Sequence, residues 1–531
     1  MKKIMFTKQS QLIVLLVLSF IINLLFMPSM FRFNHDAVLS TEGMLIADSY
    51  RIIPFNVSWG ILGYCYTGEF VRYANWPPLH FITLNFWDSI FSHSLFSSRM
   101  LSVLITSLTV PFFFLLIFRT TSNQKLAFIS SILFIFFPFR ILYGSLIFCD
   151  IWVPFFLCSG LLMMSIFDDQ AENRSTLHRI IHAVIIGLYL GIGTLFSWQT
   201  FFILPAIVIY DIAKHKKNQY LSLLSLIIGS VIFLLWLTWI LLTTKTQSTN
   251  STVTQFLNRS IIGFIYSPSF WFDLLIKRIL KLMVDATPLL ILSLTIFVRF
   301  KSHDHGNRGT NNSSSGEINK ITWVAVLTIV LYLAVMPGMF APHEFQFIFF
   351  HPVFAIVFVS FIMSHKLESL LSNTLVISYI ALSLIIYFLV VPRIHSTNQR
   401  THDEISDISR IIKQENIKTD RKPILFLNSS SMEDSLRGKK LALSYLFNSF
   451  TYTLNKKYPF VDSTNSDDIE NYSMVINKRM PSYLKNKIDK SQIYLISDKP
   501  LKISIGHNQR FSIRSIKTDS AYVYSMENLK R

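Results

Sequence analysis

The sequence predicts an all-α polytopic membrane protein of about eleven transmembrane helices, followed by a small C-terminal α/β domain. Three observations carry that prediction. Of the 531 residues 51% are hydrophobic and only 15% charged, where soluble domains run near a quarter charged. The apolar residues, 48 Phe among them, gather in runs long enough to cross a hydrocarbon core of roughly 30 Å, which takes about 20 helical residues. The runs end near residue 392, beyond which the chain is polar.

The runs place spans at about 11–31, 100–118, 126–142, 151–167, 180–197, 199–213, 220–243, 282–298, 321–339, 346–363 and 371–391. The first follows Lys2, Lys3 and Lys8 but has no small-residue cleavage site after it, so it reads as a retained helix. Orientation follows from the Lys and Arg bias. Connections on the side of the N-terminus carry 15 Lys+Arg in 61 residues, those on the opposite side 10 in 124. This threefold difference in density predicts a cytoplasmic N-terminus. With an odd number of spans, the long loop 32–99 and the tail then share the outer side.

The same bias accounts for much of the net charge of +18. Residues 397–531 hold 23 Lys+Arg against 15 Asp+Glu with no basic stripe, so a nucleic-acid partner is not indicated. Three cysteines, Cys65, Cys149 and Cys158, make neither a disulfide framework nor a metal spacing, although Cys65 and Cys149 share the outer side.

Two parts are expected: a membrane domain over 1–392 and an extracytoplasmic α/β domain over 393–531. Loop 32–99 is too apolar to lie free in water. Its stretch 41–53 spaces Met44, Leu45, Asp48 and Ile52 as on a helix lying along the membrane surface, and 79–92 reads as a second interfacial helix. Segment 301–320, rich in Gly, Asn and Ser, is a linker. In the tail, 424–427, 493–496 and 521–524 have strand character and 441–458 has helical spacing.

Charges at the outer boundary are the informative ones, because an ionised group near hydrocarbon is costly unless paired or used. Asp36, in Asn34-His35-Asp36, follows the first span, with Glu42 six residues on. A carboxylate there meets both a lipid-borne phosphate and an aqueous hydroxyl and suits a general base; equally, Asp36 or Thr41 suits a helix N-cap. The stretch from Arg72 through Trp76, Pro77, Pro78, Leu79 and His80 contains tandem prolines that end one element and start a helix; a simple turn explains it as well as a substrate contact does. Asp150 opens the fourth span, either as a favourable N-terminal charge or as a second acid that orients an acceptor or binds a metal. His343 and Glu344 open the tenth span, suited to phosphate and sugar respectively. At the eighth, Arg278 and Lys281 offer a phosphate site, while Lys281 and Asp285 stand four apart and can pair on one helix face.

The order of these features, a span, an acidic motif, interfacial helices, Pro77-Pro78-Leu79 and an Asp opening the fourth span, resembles the polyprenol-phosphate-dependent transferases of the GT-C superfamily. The branch is the one containing protein O-mannosyltransferases, lipid A aminoarabinose transferases and Rgt-type lipopolysaccharide glycosyltransferases. The resemblance covers roughly 1–392. It implies a glycosyltransferase that takes a sugar from a polyprenyl-phosphate donor, entering from membrane lipid, to a hydroxyl of a glycan, glycolipid or protein, with inversion. It further implies Asp36 as the catalytic acid of the first loop, Glu42 on a frequent acidic position, Asp150 as the second acidic motif, and His343 where a basic residue often precedes an aromatic-rich span. Arg72, Arg140, Arg278, Lys281 and His343 form the pool for the departing phosphate, and a divalent metal is open as cofactor. The chain departs from the family at Ala37, where Asp-Glu is frequent, and at Trp76, where a basic or polar residue often stands. The rival reading is a transporter or flippase of lipid-linked sugars, against which the clustering of charge at one boundary and the absence of a repeated half weigh.

Overall fold

The computed structural model describes residues 7–28, Leu39, Ser40, Gly43, Met44, Ile46, Ala47, Tyr50, 62–65, 70–73, 76–171 apart from 93, 175–214, 219–243, 260, 268–303, 314–337, 344–389 and, in the tail, seven strands. Among these are eight helices long and apolar enough to cross a membrane, and three shorter apolar ones at Gln124–Ile135, Trp198–Ala213 and Asn373–Leu389. Together they match the eleven expected spans.

The helices are α1 (Lys8–Leu25), α2 (Leu79–Ile90), α3 (Leu95–Thr121), α4 (Gln124–Ile135), α5 (Pro138–Tyr143), α6 (Trp152–Ala171), α7 (Thr176–Phe196), α8 (Ile203–Ala213), α9 (Gln219–Thr243), α10 (Pro268–His303), α11 (Ser314–Val335), α12 (Phe350–Ser364) and α13 (Asn373–Leu389). Several ends differ from the sequence expectation, the eighth span's helix starting already at Pro268, and two of the differences are set by proline. The first span stops at Leu25, ahead of Pro28, and the third stops at Ile135, because Pro138 starts the separate helix α5 at its first position.

Unlike a soluble protein, the bundle is apolar on its surface as well as in its core. On α1 the exposed side is Ile13, Val14, Val17, Ile21 and Leu25, whereas Ser19 and Asn23 are buried, and Asn23 Nδ2 donates to the Ser19 carbonyl at 2.7 Å. Such a surface needs a hydrocarbon solvent. At the centre stands α3, packed on α1, α4 and α6, with Ser98, Ser102, Thr106, Ser107 and Thr109 buried along it. Small residues let helix backbones approach where no hydrophobic effect drives them together. Asp88 of α2 accepts from Ser98 Oγ at 3.0 Å, and Trp87 Nε1 donates to the Ser97 carbonyl at 2.8 Å; both tie the interfacial helix to α3.

The chain divides into two compact units, one of residues 1–29, 58–61 and 74–391, the other of 30–57, 62–73 and 392–531. Most of the first loop up to Tyr73 groups with the tail in the second unit. In this second unit Met44, Ile46 and Ala47 are helical and buried, and β1 (Leu62–Cys65) pairs antiparallel with β2 (Phe70–Tyr73). The tail holds β3 (Pro423–Asn428), β4 (Thr451–Thr453), β5 (Val461–Asp462), β6 (Ser473–Met474), β7 (Gln492–Ser497), β8 (Phe511–Lys517) and β9 (Tyr522–Asn528). Five form a mixed sheet of order β4-β3-β7-β9-β8, with β3 parallel to β4 and β7 and the rest antiparallel. Within the stretch read as helical, 451–453 is a strand: its short alternating Thr-Tyr-Thr suits a pleat, and pairing with β3 decides the matter. The helices of the expected α/β tail lie outside the described residues.

Close approach of α7 and α9 depends on glycine. A Cβ on Gly187 would sit 2.7 Å from the Ser225 carbonyl oxygen, and Ser225 Oγ donates to the Ala183 carbonyl at 2.8 Å across the same contact. Gly187→Ala should therefore spread the pair and cost about 1–3 kcal/mol, read as a lower apparent melting temperature in detergent; an unchanged melt would show that the contact is loose.

Candidate active site

The site is built where three helices are interrupted. Between α4 and α6 the chain turns at 136–151. Pro138 starts α5, and the Gly144 carbonyl accepts from Thr106 Oγ1 at 2.8 Å. A Cβ on Gly144 would lie 2.7 Å from the Arg140 carbonyl oxygen, so the residue has to be glycine. The turn ends in a 3-10 segment, Cys149–Ile151, in which Asp150 is fully buried. Between α7 and α8, Ser197 is extended at φ −156° and a second 3-10 segment, Trp198–Phe202, follows. A third, Glu344–Phe349, precedes α12.

These breaks converge on Asp150. Gln199 Nε2 donates to Asp150 Oδ1 at 3.1 Å, and Gln199 Oε1 accepts from Ser197 Oγ, which fixes which way the amide points. Cys149 Sγ stands 4.0 Å from Asp150 Oδ2. Trp152 Nε1 donates to His80 Nδ1 at 3.1 Å, joining the first turn of α2 to the residues after Asp150. Around them lies an aromatic layer: Trp76 meets Phe148 edge-on at 4.8 Å and Trp198 at 5.9 Å, and Phe148 also meets Phe81 at 6.1 Å and Phe345 at 6.3 Å. Three of the five places singled out in the sequence thus share one neighbourhood: the Trp76–His80 stretch, Asp150, and the segment beginning at Glu344.

Beside Gln199 opens a cavity of about 300 Å³ lined by Trp198, Phe201, Phe202, Phe233, Leu331 and Tyr332 among others, and almost wholly apolar. Tyr332 donates to Gln346 Oε1 and meets the rings of Phe202 at 5.7 Å and Phe349 at 5.6 Å, so the cavity wall is continuous with the third interrupted segment.

The remaining candidates fall as follows. Asp36, Glu42 and His343 lie outside the described residues, as do the side chains of Arg72 and Glu344. Pro77 is buried, and Pro78 caps the start of α2, as tandem prolines should. Arg140 is 2% exposed: its guanidinium donates to Ser19 Oγ at 3.0 Å and to the Thr106 and Ile135 carbonyls at 2.9 and 3.1 Å, and lies over the Phe134 ring. Arg278 is largely buried, 5.9 Å from the centre of the Phe347 ring. Lys281 is exposed, whereas Asp285 is fully buried and turned to other partners than Lys281: its oxygens accept from Phe139 N at 2.9 Å and meet His351 Nε2 at 2.6 Å. The four-residue spacing allowed a pair on one face, but that face is the packed side of α10 at Asp285. His351 stacks on Phe137 at 4.7 Å, so this pair fastens α10 and α12 to the turn before Asp150. Among the described residues no three His, Cys, Asp or Glu side chains gather as a metal set.

Gln199 and His351 were missed by sequence reasoning. Gln199 carried a signal, a polar residue at the junction of two apolar runs; His351, a lone His inside an aromatic run, carried none.

His80 is fully buried, and burial lowers its pKa to about 3, so the ring is neutral, accepts at Nδ1 and carries its proton on Nε2. His80→Leu leaves Trp152 Nε1 buried without its acceptor, which should cost about 1–3 kcal/mol, while His80→Gln should recover part of it. The depressed pKa also fixes the pH sense: the contribution of His80 is full above its unfolded value of about 6.5 and falls as pH drops toward 3. Apparent melting temperatures of the two variants across that range check both statements.

The sequence profile described as dolichyl-phosphate-mannose-protein mannosyltransferase matches residues 71–273, which contain Trp76–His80, Asp150 and Gln199. A search of curated proteins by sequence returns no match. Among solved structures, ArnT from Cupriavidus metallidurans bound to undecaprenyl phosphate aligns with a TM-score of 0.56 at 10% identity over 98% of both chains. The same protein in the apo state aligns with a TM-score of 0.53 at 11% identity over 97% of this chain and 98% of that one. Identity this low speaks for architecture alone, and that likeness of architecture runs over nearly the whole of both chains.

Proposed function

We propose that this protein is a membrane glycosyltransferase that transfers a sugar from a polyprenyl-phosphate carrier to an acceptor hydroxyl, at the non-cytoplasmic boundary of the membrane. One observation carries the reading: Gln199 lines an apolar cavity of about 300 Å³ and is at once the partner of the buried Asp150 carboxylate. A hollow suited to hydrocarbon therefore lies one side chain away from an acid. The profile match over 71–273 and the undecaprenyl phosphate held by ArnT support the same donor class.

In this reading the prenyl chain occupies the apolar cavity and places its phosphate near the aromatic layer. Asp36 takes the proton of the acceptor hydroxyl as its oxygen attacks the anomeric carbon, the bond from that carbon to the carrier phosphate breaks, and the configuration inverts. Asp150, oriented by Gln199, positions the acceptor or holds a divalent cation. The departing phosphate needs cationic support. Arg278 is the better placed of the two described arginines in the pool, since its guanidinium lies against Phe347 within the third interrupted segment, whereas Arg140 already serves helix carbonyls. Arg72, Lys281 and His343 complete the pool, with Glu42 and Glu344 as sugar contacts. The acceptor class, glycan, glycolipid or protein, follows from product analysis.

The test is transfer from a radiolabelled polyprenyl-phosphate sugar by the purified full-length protein in nanodiscs. Asp36→Asn should lower the rate by about 10²–10⁴-fold, the range of a general base; Asp150→Asn should lower it with a melting curve near wild type, and Gln199→Leu should lower it together with a loss of about 1–3 kcal/mol of stability, since it leaves the buried Asp150 without its amide donor. Full transfer by both aspartate variants would refute the catalytic reading. Mass spectrometry of surface glycans and glycolipids from cells with and without the gene identifies the product.

A further inference from the structure

The third interrupted segment carries a polar side chain that the transfer chemistry leaves unused. Gln346 lies within Glu344–Phe349 and is fully buried. Its Oε1 accepts from the Tyr332 hydroxyl, which fixes the direction of the amide, and its Nε2 has no hydrogen-bond partner among the described residues. A buried donor left without an acceptor is costly, and in a folded protein such a group calls for an explanation. The contrast with Gln199 is direct: there Nε2 donates to Asp150 and Oε1 accepts from Ser197, so both ends of the amide are engaged.

The neighbours of Gln346 define the place of this donor. Phe345 before it meets Phe148 at 6.3 Å, in the aromatic layer around Asp150, and the Phe347 ring after it lies 5.9 Å from the Arg278 guanidinium. Tyr332, which holds Oε1, is also a wall of the apolar cavity of about 300 Å³, and its ring meets Phe202, another wall residue, at 5.7 Å. The amide therefore stands one hydrogen bond behind the apolar lining. A prenyl carrier changes character at a single point, the bond from its tail to its phosphate. With the tail in the cavity, the phosphate is the first polar group beside that wall, and the sugar lies beyond it. An uncharged amide suits the place: its hydrogen bond to an anion is strengthened by the anion's charge, and no further cation has to be buried against apolar walls.

We propose that the Gln346 amide binds an oxygen of the carrier phosphate and so sets where the lipid stops along the cavity. The inference rests on the lipid-donor reading above and adds to it a binding residue that carries no charge. Tyr332 is then a positioning residue, whose hydroxyl holds Oε1 and keeps Nε2 turned to the phosphate.

The experiment titrates undecaprenyl phosphate, and separately the uncharged alcohol undecaprenol, into the purified full-length protein in nanodiscs of phosphatidylcholine. Bound lipid is counted by native mass spectrometry, with the melting temperature recorded beside it. Wild type should prefer the phosphate. Gln346→Met, similar in volume but without a donor, should weaken undecaprenyl phosphate about tenfold or more, as loss of a hydrogen bond to a charged group does, and leave undecaprenol nearly unchanged. Tyr332→Phe keeps the cavity wall and removes only the hold on Oε1, so its loss should be smaller. In the transfer assay Gln346→Met should raise KM for the donor more than it lowers kcat. If Gln346→Met does not fold, Gln346→Glu in alkaline buffer keeps an acceptor for Tyr332, sets a carboxylate where the donor stood, and should show the same loss. Equal weakening of both lipids, unchanged binding of undecaprenyl phosphate by the variant, or a wild type with no preference for the phosphate overturns the proposal. Phosphate preference lost in Gln346→Met, in a wild type that transfers no sugar, upholds the binding site while the transferase reading fails.

Discussion

Hydrocarbon offers no hydrogen bonds, so a span can be interrupted only where protein itself satisfies the freed peptide groups and buries them. That constraint governs this molecule. The 3-10 segments Cys149–Ile151, Trp198–Phe202 and Glu344–Phe349 each open an apolar helix; the first meets the second through Asp150 and Gln199 and lies against the third beside the rings of Phe148 and Phe345. Irregular backbone, a buried carboxylate and a polar amide are all unfavourable next to lipid taken singly. Gathered at one end of the bundle they satisfy one another, and the place where helices break becomes the place where chemistry can be done.

Ionisable groups in such a bundle divide into those that hold and those that act. Breaking a buried pair by removing one partner costs about 3–5 kcal/mol, enough to make Asp285 and His351 a structural joint in their own right. The two oxygens of Asp285 meet His351 Nε2 and Phe139 N. Arg140 is likewise closed off by Ser19 and two helix carbonyls. Asp150 differs: its described partners are one amide and a distant thiol, and that amide borders a hollow. The joint formed by Asp285 and His351 meets Phe137 and Phe139 at the start of the turn that carries Asp150, so the holding groups help to set the position of the acid that the proposed transfer would use.

Much of this was legible in the sequence because the bilayer imposes a length and a polarity that composition records directly. All eleven apolar helices fall on expected runs, and the Trp76–His80 stretch and Asp150 drew notice as polar or helix-breaking residues next to apolar runs. What was not legible depends on pairing across sequence. Gln199 matters because it meets Asp150, and Asp285 because its partner is His351 on another helix and not Lys281 on its own. The end of α4 at Ile135 was obscured because Phe136, Phe137 and Phe139 prolong the apolar run past the break at Pro138. In the tail, 451–453 has spacing compatible with a helix, and only the neighbouring strand β3 makes it a strand.

The two ends of α6 argue for a one-sided device. Between Asp150 and Phe167 the buried face of the helix presents Phe156, Leu157, Leu161 and Leu162, and Leu190 of α7 fills the space at Gly160, where a Cβ would lie only 2.8 Å from its Cδ2. A polar substrate passing along this face would have to displace packed side chains over several turns, and the buried hydroxyls on the helix, Ser159 and Ser165, are already engaged by Tyr189 and by Arg119 and Glu317. The hollow beside Gln199 is apolar, suited to a lipid tail more than to a polar cargo, and a smaller hollow of about 70 Å³ with a mixed polar lining, Arg179, Asp211 and Lys320 included, lies at the far end of α6 beside Phe167. Alternating access needs a site near mid-membrane that both sides can reach. Chemistry at one boundary needs only that a lipid-borne donor arrive laterally and that the opposite end of the bundle stay closed, and the packing of α6 against α7 keeps it closed.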